Sequence, residues 1–289
     1  MAPPPGGRSG NAAGSCRLVE LGGIRGRVAN WGMLRVLIIC GLALLALPLS
    51  ALRAAAAECP AAPVQPLSLP ATAATMAAGR PVSILAFGSS STEGFAASSP
   101  EASYPARLQA RLRAALPGHL VTVLNRGRGG EEVAEMMRRL KRDVLEASPT
   151  LVIWQVGSNA VLRAMPPALY RERVEAGLDR LRAAGIEVVL MDNQEAPKLQ
   201  AWPEGNAQIL AQTAGIAHDR GVPLFSRSAL MRRWQGEGVP TAAVIGPDGL
   251  HHTDLGYDCV AAALADSILA ALRPVLSPAA EVADAGRAR

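Results

Sequence analysis

Between residues 82 and 272, short apolar runs alternate with longer amphipathic stretches, and that alternation admits few architectures. Val82-Ser83-Ile84-Leu85-Ala86-Phe87, stopped by Gly88, has the pattern of a strand buried on both faces. Residues 120–124, 151–156 and 187–191 repeat it, and 222–225 does so more weakly. In the intervals, residues 131–146 place Val133, Met136, Met137, Leu140, Val144 and Leu145 on one helical stripe. Residues 167–184, 206–220 and 254–272 read as further helices, the last with Thr253 as its N-cap. Strands joined through helices run parallel, and a parallel sheet needs both faces covered. The expectation is an α/β/α domain of three layers.

The flanks read differently. Arg35 precedes a twelve-residue apolar run over 36–47, and Ala55-Ala56-Ala57 supplies small residues of the A-x-A kind before Glu58. This is the pattern of an export signal, with Met1 or Met33 as its start. An uncleaved anchor is the competing reading, although the run is short for a span and Pro48 and Arg53 close it. The organisation expected is therefore 1–57 as N-terminal extension and signal peptide, 58–79 as an Ala- and Pro-rich linker or arm, 80–272 as the folded domain and 273–289 as a flexible tail. No stable membrane span remains after cleavage, and the mature chain is expected to be periplasmic or secreted.

Charge and cysteine usage fit that reading. The net charge of +5 comes from 29 basic and 24 acidic residues, but residues 1–57 hold six Arg and only Glu20. The remainder carries 23 of each sign, so no basic surface for nucleic acid is implied. Aromatics at 3% also argue against a base-stacking platform. Cys16 and Cys40 fall in the leader; Cys59 and Cys259 are left as a disulfide or as two free thiols, and spacing does not choose. No Cys/His group has zinc spacing, and no metal or cofactor is expected. His119 and His218 have no matching partners and read as structural.

In open α/β sheets, ligands bind beyond the carboxyl ends of the strands. The loop after the first strand is Gly88-Ser89-Ser90-Ser91-Thr92-Glu93-Gly94, and the second strand is followed by Asn125-Arg126-Gly127-Arg128-Gly129-Gly130. Gly157-Ser158-Asn159 follows the third, and Asp248-Gly249-Leu250-His251 precedes the last helix. Singly, each is an ordinary turn or cap. Together and in this order they resemble the consensus blocks of the SGNH/GDSL hydrolases over most of residues 82–272.

The resemblance implies an α/β fold, a three-layer α/β/α sandwich with a mainly parallel, flavodoxin-like central sheet. It implies Ser90 as nucleophile, Asp248 and His251 as orienter and base, and an oxyanion hole of the Ser90 amide, the Gly130 amide and the Asn159 side chain. The substrate implied is an ester of a carbohydrate, lipid or other small molecule. One position departs: the family's usual Asp before the nucleophile is Ser89 here, so only spacing selects Ser90 from three consecutive serines. That departure keeps a second reading open, a catalytically silent binding module on the same scaffold. His252 follows His251 directly, and the three-residue offset from Asp248 favours His251. The chemistry is coherent by itself. A serine hydroxyl needs an imidazole to take its proton, and the imidazole needs a carboxylate to fix its tautomer. Arg126 and Arg128 are expected to be solvated or to pair with Glu131 and Glu132.

Overall fold

The computed structural model describes residues 59–276. The leader, its cleavage site, Cys16 and Cys40, and the segment beyond Leu276 lie outside the described residues. Five strands, β1 (Val82–Gly88), β2 (Val121–Gly127), β3 (Leu151–Gln155), β4 (Glu187–Met191) and β5 (Leu224–Phe225), form one parallel sheet in the order β2-β1-β3-β4-β5. This is the flavodoxin-like order of a doubly wound sheet. β3 is buried at every position, and β1 at all but Ser83, as their unbroken apolar runs require.

The chain leaves β1 through α3 (Tyr104–Ala115) to reach β2 on one side of it. It then steps the other way through α4 (Val133–Leu140), α6 (Pro167–Ala183) and α8 (Pro203–Arg220) to β3, β4 and β5. Right-handed crossovers taken in opposite directions put α3 on one face and α4, α6 and α8 on the other. The final helix, α11 (Asp254–Leu276), packs on α3, and Thr253 Oγ1 accepts from the Gly256 amide at its start as an N-cap. By length and composition α11 is apolar enough to cross a membrane, but eleven of its residues are buried in this domain.

Several boundaries differ from the sequence reading. Residues 58–79 are not a loose arm: α1 (Pro70–Ala77) lies within them, and Leu67, Leu69 and Met76 enter the core. The Glu187 carboxylate at the head of β4 accepts from the Ala71 and Thr72 amides, the open donors of a helix N-terminus. Low local periodicity hid a helix that tertiary contacts hold. The last helix runs through Pro274 to Leu276 rather than ending at Leu272. Asn125, Arg126 and Gly127, read as loop, pair with Ala86, Phe87 and Gly88 as the last rungs of β2. Helices α3 and α9 (Arg227–Gly236) show no clear apolar stripe in the sequence, because Arg and Ala crowd the apolar positions Leu108, Leu112, Leu230 and Trp234. Cys59 and Cys259 are joined in a disulfide with Cα atoms 5.1 Å apart, pinning the N-terminal segment to α11.

Candidate active site

The site is assembled where β1, β2 and β3 end. β1 stops at Gly88, and one helical turn, α2 (Ser90–Glu93), begins at once. Ser89 turns inward: its amide and Oγ donate to Gln155 Oε1 at 2.9 and 3.0 Å, and Thr92 Oγ1 donates to the same oxygen at 3.2 Å. Ser89 and Ser91 are buried, whereas Ser90 remains partly open to solvent. Gly127 permits this packing, because a Cβ there would lie 2.0 Å from the Glu93 amide nitrogen.

Ser90 Oγ lies 2.7 Å from His251 Nε2, and His251 Nδ1 lies 2.5 Å from Asp248 Oδ2. These partners fix the tautomer: Nδ1–H donates to the carboxylate, and Nε2 accepts from the serine hydroxyl. The other Asp248 oxygen accepts from the Leu250 and His251 amides, both at 3.0 Å, so the carboxylate is held by its own turn. Partial burial works against its charge, but these hydrogen bonds outweigh burial and hold the Asp248 carboxyl down to about 2. The carboxylate is therefore ionised whenever the protein is folded at ordinary pH. His252 points elsewhere. Its ring is buried, Nδ1–H donates to the Val244 carbonyl at 3.1 Å, and Tyr257 packs edge-on against it. Burial, reinforced by the positive field of Arg227, pushes the His252 imidazole down to about 3.

The amides of Ser90 and Gly130 donate to no protein acceptor among the described residues. Gly130 adopts φ +75°, a conformation costly for any residue with a Cβ. Asn159 is the second residue of α5 (Ser158–Leu162), which follows β3, and its Nδ2 donates to the Glu131 carbonyl at 2.7 Å, leaving its second hydrogen available. The structure thus brings Ser90, Asp248 and His251 into one hydrogen-bonded chain, and it ties Asn159, after β3, to the loop after β2 that carries Gly130.

Residues that spacing did not single out hold this arrangement. Arg139, almost fully buried, donates to the Gly88 and Arg126 carbonyls at 3.0 and 2.9 Å and to the Glu131 carboxylate at 2.5 Å. One guanidinium therefore joins the ends of β1 and β2 to the loop after Gly130. Glu131 and Glu132 pair with Arg139 and Arg173, not with Arg126 or Arg128; Arg128 faces Asp143 at 3.7 Å instead. Gln194 links the remaining blocks, accepting from Ser158 Oγ and Arg227 Nη2 at 3.0 Å and donating to the Leu250 carbonyl at 2.9 Å. Such contacts join residues 8 to 56 positions apart, so no local motif announces them. No group of His, Cys, Asp and Glu among the described residues is arranged to hold a metal ion.

Comparison with known proteins identifies the family and the fold. The model of the non-GDSL lipase-like family matches residues 56–274. Esterase TesA of Pseudomonas aeruginosa is 28% identical over 145 residues, 49% of this chain and 71% of that protein. Among solved structures, a lipase/acylhydrolase from Enterococcus faecalis superposes with a TM-score of 0.54 at 22% identity, over 65% of this chain and 95% of that one. A two-domain esterase active on acetylated mannans gives 0.62 at 21% identity, over 73% of this chain and 56% of that one. At these identities the superpositions speak for the fold.

Proposed function

The chain belongs to the non-GDSL lipase-like family and is a carboxylic ester hydrolase; from that premise we propose that Ser90, His251 and Asp248 are its catalytic triad. The observation that carries this reading is the continuous chain Ser90 Oγ–His251–Asp248 at 2.7 and 2.5 Å. In the reaction, Ser90 Oγ attacks the ester carbonyl carbon while His251 Nε2 takes its proton. Asp248 keeps the imidazole oriented and balances the imidazolium. The Ser90 and Gly130 amides and the free Asn159 N–H stabilise the oxyanion, each such donor lowering the barrier by roughly 3 kcal/mol. His251 then protonates the departing alcohol, and water releases the acid from Ser90 by the same steps. The substrate is an ester of a carbohydrate, lipid or other small molecule. A fluorophosphonate probe should leave one adduct, on the peptide containing Ser90, in wild-type protein and none in Ser90→Ala. An adduct mapped to another residue rejects the assignment.

We further propose that the protein is exported, with cleavage after Ala57 and residence in the periplasm or medium. Support comes from the leader composition and from the Cys59–Cys259 disulfide, a bond that persists in oxidising compartments. The secreted protein should begin Glu58-Cys59 and gain mass on alkylation only after reduction. Cys59→Ser should lower unfolding free energy by about 2–5 kcal/mol, because the bond closes a very long loop. Two alkylatable thiols in protein taken from the periplasm would reject the paired state in the cell.

A further inference from the structure

Of the nine aromatic side chains among the described residues, seven are buried, while Phe95 and Trp202 are more than half exposed. Phe95 is seated on the site. Its ring centroid lies 4.5 Å from that of His251, at an interplanar angle of 47°, while 54% of the residue faces solvent. The backbone is fastened to keep it there. The Phe95 amide donates to the Ser90 carbonyl at 2.9 Å, and the Phe95 carbonyl accepts from Tyr257 Oη at 2.8 Å. Beyond it, Ala96 takes φ +67°, a left-handed conformation unfavourable for a residue with a Cβ. The Asp254 carboxylate then anchors Ser98 through its amide at 2.8 Å and through its hydroxyl. A strained, doubly tethered loop thus presents an uncovered aromatic ring against the imidazole.

Resting on the triad reading, we propose that Phe95 forms the binding wall for the leaving alcohol and selects alcohols bearing a flat ring face. Proton accounting places it there. The proton that His251 Nε2 takes from Ser90 must be returned to the alkoxide oxygen as the C–O bond breaks, so that oxygen comes within hydrogen-bond reach of Nε2. Whatever the oxygen carries then lies beside the ring that packs on the imidazole. The acyl chain hangs from the carbonyl carbon instead and does not share this constraint. An exposed π-face in water takes a second flat face, either another π-system or the axial C–H face of a pyranose. Trp202 forms no aromatic pair with His251 among the described residues and takes no part in the proposal.

The test compares acetates with different alcohols: ethyl acetate, benzyl acetate and a methyl 6-O-acetylglucopyranoside. Wild-type kcat/KM should favour the ring-bearing esters. Phe95→Ala should lower kcat/KM about 3- to 10-fold on ring esters and leave ethyl acetate nearly unchanged, the size of one aromatic contact. The larger loss, on benzyl or on sugar, identifies which ring the wall serves. Phe95→Trp should retain the preference, and Phe95→Leu, which keeps apolar cover over His251, should lose it without losing ethyl acetate turnover. The ratio of ethyl butyrate to ethyl acetate should not move. Equal losses on all three acetates, no loss on any, or a change confined to the acyl series would overturn the proposal. Wild-type turnover that survives Ser90→Ala would strike the triad itself, whereas a flat alcohol series with Ser90 still essential strikes Phe95 alone.

Discussion

Replacing Ser90 with Ala should reduce turnover of p-nitrophenyl acetate by on the order of 10⁴–10⁶-fold, with thermal unfolding little changed. The size of the effect follows from losing the atom that forms the acyl-enzyme, after which the oxyanion donors and binding alone accelerate attack by water. The fold should tolerate the change because Ser90 Oγ makes a single hydrogen bond, to His251 Nε2, and Ser90 itself is partly open to solvent. Ser89→Ala and Ser91→Ala should behave in the opposite sense. Both side chains are buried, and Ser89 Oγ donates to Gln155. Their removal should cost stability on the order of 1 kcal/mol while most turnover remains. Purified variants assayed for kcat and melting temperature in parallel check this. A dead but folded Ser89→Ala or Ser91→Ala protein, beside an active Ser90→Ala, would reject the assignment.

That three consecutive serines divide so cleanly is a tertiary fact. Spacing from Gly88 and Gly94 points to Ser90, but the Gln155 amide that draws Ser89 inward stands 66 residues away. The sheet was legible for a different reason. Strands buried on both faces must be apolar throughout, so β1, β3 and β4 declare themselves, whereas β5, two residues long, scarcely does. Helix α1 was illegible because its stability is borrowed from the Glu187 carboxylate and the core beneath Leu69 and Met76. The same limit applies to Arg139. Its sequence neighbours show a charged helix face, and only the fold reveals a buried guanidinium tying Gly88, Arg126 and Glu131 together. Block residues are readable because chemistry fixes their type and order. Supporting residues are set by packing, which one sequence does not display.

His251→Ala should abolish turnover about as completely as Ser90→Ala, and Asp248→Asn should lower kcat by about 10⁴-fold with Ser90 still in place. Asparagine would turn a donor or a weaker acceptor toward His251 Nδ1, releasing the tautomer that leaves Nε2 free to take the serine proton. Only an imidazole within reach of the serine hydroxyl can serve as its base, and His251 Nε2 is the ring nitrogen that meets Ser90 Oγ. His252→Ala should keep most of kcat, because its ring faces Val244 and Tyr257 rather than Ser90. Its cost should appear in stability instead. The folded His252 imidazole sits near 3, while the unfolded one sits near 6.5. Between these values the unfolded chain binds the extra proton, so unfolding free energy must fall as pH drops from about 6.5 toward 3. Asp248 adds a second, more acidic loss: its stabilisation is complete above about 3.9 and disappears as pH falls through about 2. Chemical denaturation of wild type and His252→Ala across pH 3–8, with kcat measured on the same samples, separates the two histidines. If His252→Ala is folded but inert while His251→Ala still turns over, the base is the wrong neighbour; if both keep the same acid slope, His252 is not the residue that is buried in its neutral form.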